Sequence, residues 1–106
     1  MTSFDEFQKR VHDFALLRNP PYFPPMDIVA RLAEEVGEFS REVQHRHGVK
    51  RKRADELQGS DLVEAADILF TLTCYINSQG HSWEDAVEKM FEKYYGRDKD
   101  RFKKIQ

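Results

Sequence analysis

Ser60-Asp61-Leu62-Val63-Glu64-Ala65-Ala66-Asp67-Ile68-Leu69-Phe70-Thr71-Leu72-Thr73-Cys74-Tyr75-Ile76-Asn77-Ser78-Gln79-Gly80 is the stretch on which the fold turns. Ser60 is suited to cap a helix, and Gly80 marks a break. Between them Leu62, Val63, Ala65, Ala66, Ile68, Leu69, Phe70, Leu72, Tyr75 and Ile76 cover almost the whole helical circumference. Such a helix wants burial on every side. In a chain of 106 residues the other helices can cover one face of it, so the remaining apolar surface predicts a partner subunit, most simply by two-fold symmetry. A homodimer is the minimum expectation, with a homotetramer open.

The flanking segments read as three more helices. Upstream, Ser3 is answered by Glu6 in a capping box, and Phe4, Phe7, Val11 and Phe14 recur at helical spacing, predicting a first helix to about Arg18. Asn19-Pro20-Pro21-Tyr22-Phe23-Pro24-Pro25 then predicts a rigid, extended connector, because four prolines lack amide donors. A second helix follows from about Asp27, with Leu32, Val36, Phe39 and Val43 forming a bundle stripe and Gly48 its C-cap. Residues 49–59 are polar, open with Lys50-Arg51-Lys52-Arg53, and read as a loop. Downstream, Ser82 with Asp85 starts a fourth helix bearing Ala86, Val87, Met90, Phe91 and Tyr94 and ending near Gly96. The expected architecture is all-α, a four-helix bundle-like protomer in a single domain over residues 1–106, with a basic tail from Arg97.

Composition limits the function classes. With 17 basic and 19 acidic side chains the formal charge is -2, which gives no global basic field and argues against nucleic acid as the main partner. There is no apolar run long enough to span a bilayer, and the N-terminus lacks the basic and apolar regions of a signal peptide, so the expectation is a cytoplasmic protein. One cysteine cannot pair internally, and Cys74 reads as a small buried thiol.

The chemistry rests on carboxylates. At 100° per residue Glu35, Glu38 and Glu42 fall on one flank of the apolar stripe of the second helix, and Glu64 and Asp67, spaced i, i+3, project from one side of the third. Taken singly, either pair is adequately explained as a wet acidic face. Two features weigh against that. The third helix has little room for a solvent face, so its carboxylates become partly covered and need a cation or a proton. Two antiparallel neighbours each offering such a pair can also gather four carboxylates around one small volume. Oxygen donors without His or Cys favour Mg²⁺, or Mn²⁺ as a substitute, over zinc, and magnesium takes its remaining ligands from water and substrate phosphates.

The order Glu34-Glu35-x-x-Glu38, then 25 residues, then Glu64-x-x-Asp67 resembles the signature of the MazG-like nucleoside triphosphate pyrophosphohydrolases. The likeness extends through Ala30-Arg31-Leu32-Ala33, Asp67-Ile68-Leu69-Phe70 and Arg97-Asp98-Lys99-Asp100-Arg101, and is greatest to the short, single-domain bacterial members. It implies magnesium-dependent hydrolysis of a nucleoside triphosphate at the α–β bond, giving a monophosphate and pyrophosphate, in a house-cleaning role. It implies Glu35, Glu38, Glu64 and Asp67 as metal ligands, with Glu34 beside Glu35 as a carboxylate that orients or deprotonates the attacking water. Lys93 and Arg97, four apart, are candidates for the leaving pyrophosphate, with Lys89 a weaker addition; their blander reading is a basic helix end that complements the macrodipole. Asn77 carries over as a substrate contact, with helix capping the competing role. Tyr22 and Phe23 either stack on the base or anchor the connector, and the anchor is the favoured reading.

Other patterns carry less. Lys50 to Arg53 is a short solvated basic run, His45 and His47 cannot share a helix side as a zinc pair, and Glu42-x-x-His45 lacks the second half that a di-iron centre needs. The main alternative to the enzyme is a non-catalytic helical dimerisation module with an acidic face.

Overall fold

The computed structural model describes residues 3–48 and 60–98, which form four helices: α1 Phe4–Ala15, α2 Pro25–His47, α3 Ser60–Ser78 and α4 Trp83–Asp98. No strand occurs among the described residues. The Lys50 to Arg53 run, and the tail beyond Asp98, lie outside them.

Local chemistry sets the helix ends. Ser3 accepts a hydrogen bond from the Glu6 amide at 3.2 Å, and Ser82 accepts one from the Asp85 amide at 3.1 Å, so two of the three expected N-caps are in place. Three boundaries differ from the sequence reading. α1 stops at Ala15, because the chain tightens into i→i−3 bonds from Leu17 to Phe14 and from Arg18 to Ala15 before the prolines. α2 starts at Pro25, where a proline loses nothing by lacking an amide, and the Pro24 carbonyl accepts from Asp27 and Ile28. α4 continues past Gly96 to Asp98. Ser60 is the first residue of α3, and its hydroxyl donates to Glu42 at 2.8 Å.

α3 ends in a Schellman turn. Gly80 takes a φ of +72°, the His81 amide reaches the Ile76 carbonyl and the Gly80 amide reaches that of Asn77. Glycine and backbone therefore close this helix, and the Asn77 side chain is released for other work. It accepts from Gln8 at 2.8 Å and donates to the Gln8 carbonyl at 3.1 Å, tying α3 to α1. Gln8 in turn accepts from the Trp83 amide at 2.7 Å, and the Trp83 indole donates to Thr73 at 2.7 Å. One amide side chain thus holds α1, α3 and α4 together.

α2 and α3 make the central pair. Ile28 faces Thr71 and Cys74, Glu35 faces Asp67, and Ser60 meets Glu42, so the two run antiparallel. α1 packs on α3 through Val11 and Ala15, with Phe14 edge-on to Phe70 at 5.9 Å, and α4 packs against α1. On α2 the rotation differs from expectation. Glu35 is 8% exposed while Val36 is 47% exposed, so the helix turns a carboxylate, not the valine, towards α3. The apolar excess predicted for α3 is real: Leu62 and Val63 are 71% and 61% exposed. None of the described helices is long and apolar enough to cross a membrane.

Candidate metal centre

The antiparallel α2–α3 pair brings the carboxylates together. Glu35, Glu64 and Asp67 each offer an oxygen, and these three atoms lie within 4.8 Å of one another. Glu38 stands close enough to Glu64 for its charge to act on it. Burial, then the charges of Glu38 and Asp67, with Glu35 behind them, push the Glu64 carboxyl above the usual glutamate range. One oxygen of Glu35 and one of Glu64 are buried without a hydrogen-bond partner. Buried anionic oxygens that lack a proton donor are costly, and a cation relieves that cost. An all-oxygen set of this size fits a hard divalent ion of the magnesium type.

Glu35 is held from outside the cluster. Arg31, one turn earlier on α2, donates through Nε to Glu35 Oε1 at 3.1 Å. This leaves the other oxygen of Glu35 for the cluster. Glu34, the neighbour of Glu35, is exposed. Glu42, which the helical wheel sets on the same flank, binds Ser60 one turn further on.

A cavity of about 420 Å³ opens beside the carboxylates. Glu35 and Asp67 form one part of its wall, and Arg31, Ile28, Phe70, Thr71 and Cys74 continue it along α2 and α3. Phe14, Arg18, Tyr22 and Phe23 close it from α1 and the proline connector. Tyr22 is anchored, its hydroxyl 2.7 Å from His12 Nδ1, and burial raises its pKa while a hydrogen bond from Asn77 opposes the rise. Phe23 lies under the Arg18 guanidinium at 4.5 Å. The connector aromatics therefore anchor the loop, as expected, and also line the cavity. Cys74 is buried in the wall, which pushes its thiol up, in keeping with an unreactive core cysteine.

The remaining predicted residues sit elsewhere. Lys93 and Arg97 are exposed on α4, 5.2 Å and 5.5 Å from the Tyr94 ring, and do not line this cavity. Asn77 reaches the cavity only through Tyr22. The sequence reading gave no site role to Arg18 or Arg31. Arg31 was findable, since Arg31 and Glu35 are an i, i+4 pair of opposite charge inside the motif; Arg18 had no such signal.

The chain is similar to known proteins. The model of the MazG nucleotide pyrophosphohydrolase domain matches residues 23–102, which span α2, α3 and α4. The chain belongs to the MazG family of nucleotide pyrophosphohydrolases, and is an enzyme of that class. Among individual relatives, the uncharacterised protein YpjD of Bacillus subtilis is 47% identical over 81 residues, 76% of this chain and 73% of its own length. The crystal structure of Bacillus subtilis YpjD, described as a candidate pyrophosphatase, superposes with a TM-score of 0.81 at 37% identity, covering 89% of this chain and 96% of that one. A Bacillus-conserved MazG protein, described as a nucleotide pyrophosphohydrolase, superposes with a TM-score of 0.77 at 33% identity, covering 94% and 97%.

Proposed function

We propose that the chain hydrolyses nucleoside triphosphates between the α and β phosphates, yielding a nucleoside monophosphate and pyrophosphate, with Mg²⁺ held by Glu35, Glu38, Glu64 and Asp67. Mn²⁺ is the natural substitute. The observation that carries this reading is the convergence of carboxylate oxygens from two facing helices within 4.8 Å, in a chain of the MazG family. A magnesium ion bound there supplies charge neutralisation over the phosphates and a more acidic water.

The chain's own side chains divide the other tasks. Glu35 and Glu64, each with a buried oxygen lacking a donor, form the inner rim that receives the cation. Glu34, exposed beside Glu35, orients or deprotonates the attacking water. Asn77 acts on the nucleotide through Tyr22, whose ring lines the cavity. Lys93 and Arg97 neutralise the leaving pyrophosphate. Because neither side chain lines the cavity of its own chain, these two cations serve the site from a neighbouring subunit, in a homodimer or homotetramer. The large exposed apolar side chains of α2 and α3 provide the surface for such an assembly. The setting is the cytoplasm, and the role is removal of unwanted triphosphates from the nucleotide pool.

The test is pyrophosphate release from a panel of standard, deoxy and modified triphosphates with Mg²⁺. At least one is expected to be turned over, and Glu38→Gln is expected to lower that rate by about two to three orders of magnitude, the scale of losing one electrostatic contact at a reacting centre. Failure to turn over any triphosphate, or full activity in Glu38→Gln, would overturn the reading.

A further inference from the structure

The cavity has an order along its length. On α3 its wall runs from Asp67 to Cys74, about 10 Å at the helical rise, and on α2 it runs back from Glu35 to Ile28. Carboxylates therefore stand at one end. At the other, Tyr22 and Arg18 approach Cys74, bringing the aromatic connector over that part of the wall. Arg31 lies between them, one turn from Glu35.

The two cavity arginines differ in what they have left to give. Arg18 donates to the Pro21 carbonyl at 3.1 Å and stacks on Phe23, so it is engaged in holding the connector. Arg31 uses Nε on Glu35 at 3.1 Å, and its Nη groups carry no hydrogen bond among the described residues. A guanidinium has five donors in a fixed fork, so one edge can hold a carboxylate while the other takes an anion. A nucleoside at the aromatic end and a triphosphate reaching the carboxylates would pass this edge with the phosphate nearest the sugar.

We propose that Arg31 is the contact for the α-phosphate, the phosphate that remains on the nucleoside, so that it also holds the monophosphate product. The proposal rests on the triphosphate reading above. It separates two groups of cations: Arg31 acts on the nucleoside side of the cleaved bond, and the α4 cations act on the pyrophosphate side. Arg31 is exposed and its fold contribution is one i, i+4 pair, so its replacement leaves the bundle intact.

The experiment uses Arg31→Lys, which keeps the charge and loses the fork. Calorimetry with Mg²⁺ measures binding of dAMP, dCMP, dGMP and dUMP, and separately of pyrophosphate, to the wild-type and variant proteins. A Mn²⁺ titration without nucleotide reads the carboxylate cluster alone. Binding of the best monophosphate is expected to weaken by about tenfold, the loss of one charge-assisted contact. Pyrophosphate and Mn²⁺ binding are expected to change by less than about threefold. Equal weakening of monophosphate and pyrophosphate, unchanged monophosphate binding, or no monophosphate binding by the wild-type protein would overturn the proposal. A loss confined to Mn²⁺ affinity would do so too, because it would reduce Arg31 to a support for Glu35. These outcomes are distinct from absence of pyrophosphate release by the wild-type protein, which removes the catalytic reading itself.

Discussion

Glu64 is surrounded by its own kind, and this has a cost that the solvent conditions can reveal. Burial and the neighbouring Glu38 and Asp67 charges make the folded chain bind the Glu64 proton more tightly than the unfolded chain does. By linkage, the stability this proton contributes is present at low pH and is lost as the pH rises above the ordinary value of 4.5 and through the raised one. In chelator, the melting temperature is therefore expected to fall over that window, and added Mg²⁺ is expected to restore it at neutral pH. Glu64→Gln should flatten the pH dependence and shrink the gain from Mg²⁺, both readable in thermal melts across a pH series. An unchanged slope in the variant would mean that Glu64 does not titrate against the fold. At this scale the sequence was informative about spacing and poor about rotation. Two i, i+3 pairs located the carboxylates, but the burial of Glu35 and the exposure of Val36 depend on how α2 turns against α3, which a single-helix pattern does not contain.

At the scale of elements, the helix starts were legible because they are local. Ser3 and Ser82 meet amides three residues on, and no distant part of the chain is involved. Pro25 misled because proline breaks a helix interior and favours a first turn, and which applies depends on what precedes it. The link between helices was not legible at all. Gln8 joins Asn77, His81 and Trp83 across 69 to 75 residues of sequence, and nothing in its neighbourhood announces this. Gln8→Ala is expected to destabilise the fold by about 1–3 kcal/mol, since it orphans part-buried groups on two other helices. Urea denaturation checks this as a lower midpoint at unchanged slope. The carboxylate cluster, built on α2 and α3 alone, should keep its Mn²⁺ affinity in that variant.

For the whole molecule, the question is what covers α3. Its N-terminal half presents Leu62, Val63 and Leu69 outward, while Met26, Val29 and Val36 form an exposed apolar row on α2. Surface of this extent is unusual on a monomer. In sedimentation experiments at micromolar concentration the protein is expected to run as a dimer or tetramer. Leu62→Asp is expected to shift it towards monomer with its helical circular dichroism retained. A wild-type protein that sediments as a monomer would also remove the assignment of Lys93 and Arg97 to a neighbour's site. The circumferential apolarity of residues 62–76 was enough to anticipate the exposed surface, because it is a property of composition around a helix. The number of subunits is set by shape complementarity between faces, which is not written in any one helix.

Trp83 gives the molecule a property of a different kind. It is the chain's single tryptophan, and its indole donates to a hydroxyl, Thr73, that is wholly enclosed, with Phe4 stacked at 6.3 Å. The protein thus carries one native fluorophore, placed where the starts of α1 and α4 dock on the C-terminal half of α3, while the clustered carboxylates Glu64 and Asp67 occupy the N-terminal half. Emission from that indole reports one end of α3 and metal titration reports the other, so together they turn a single helix into a ruler for whether the bundle opens from its docking end or from its chemical end.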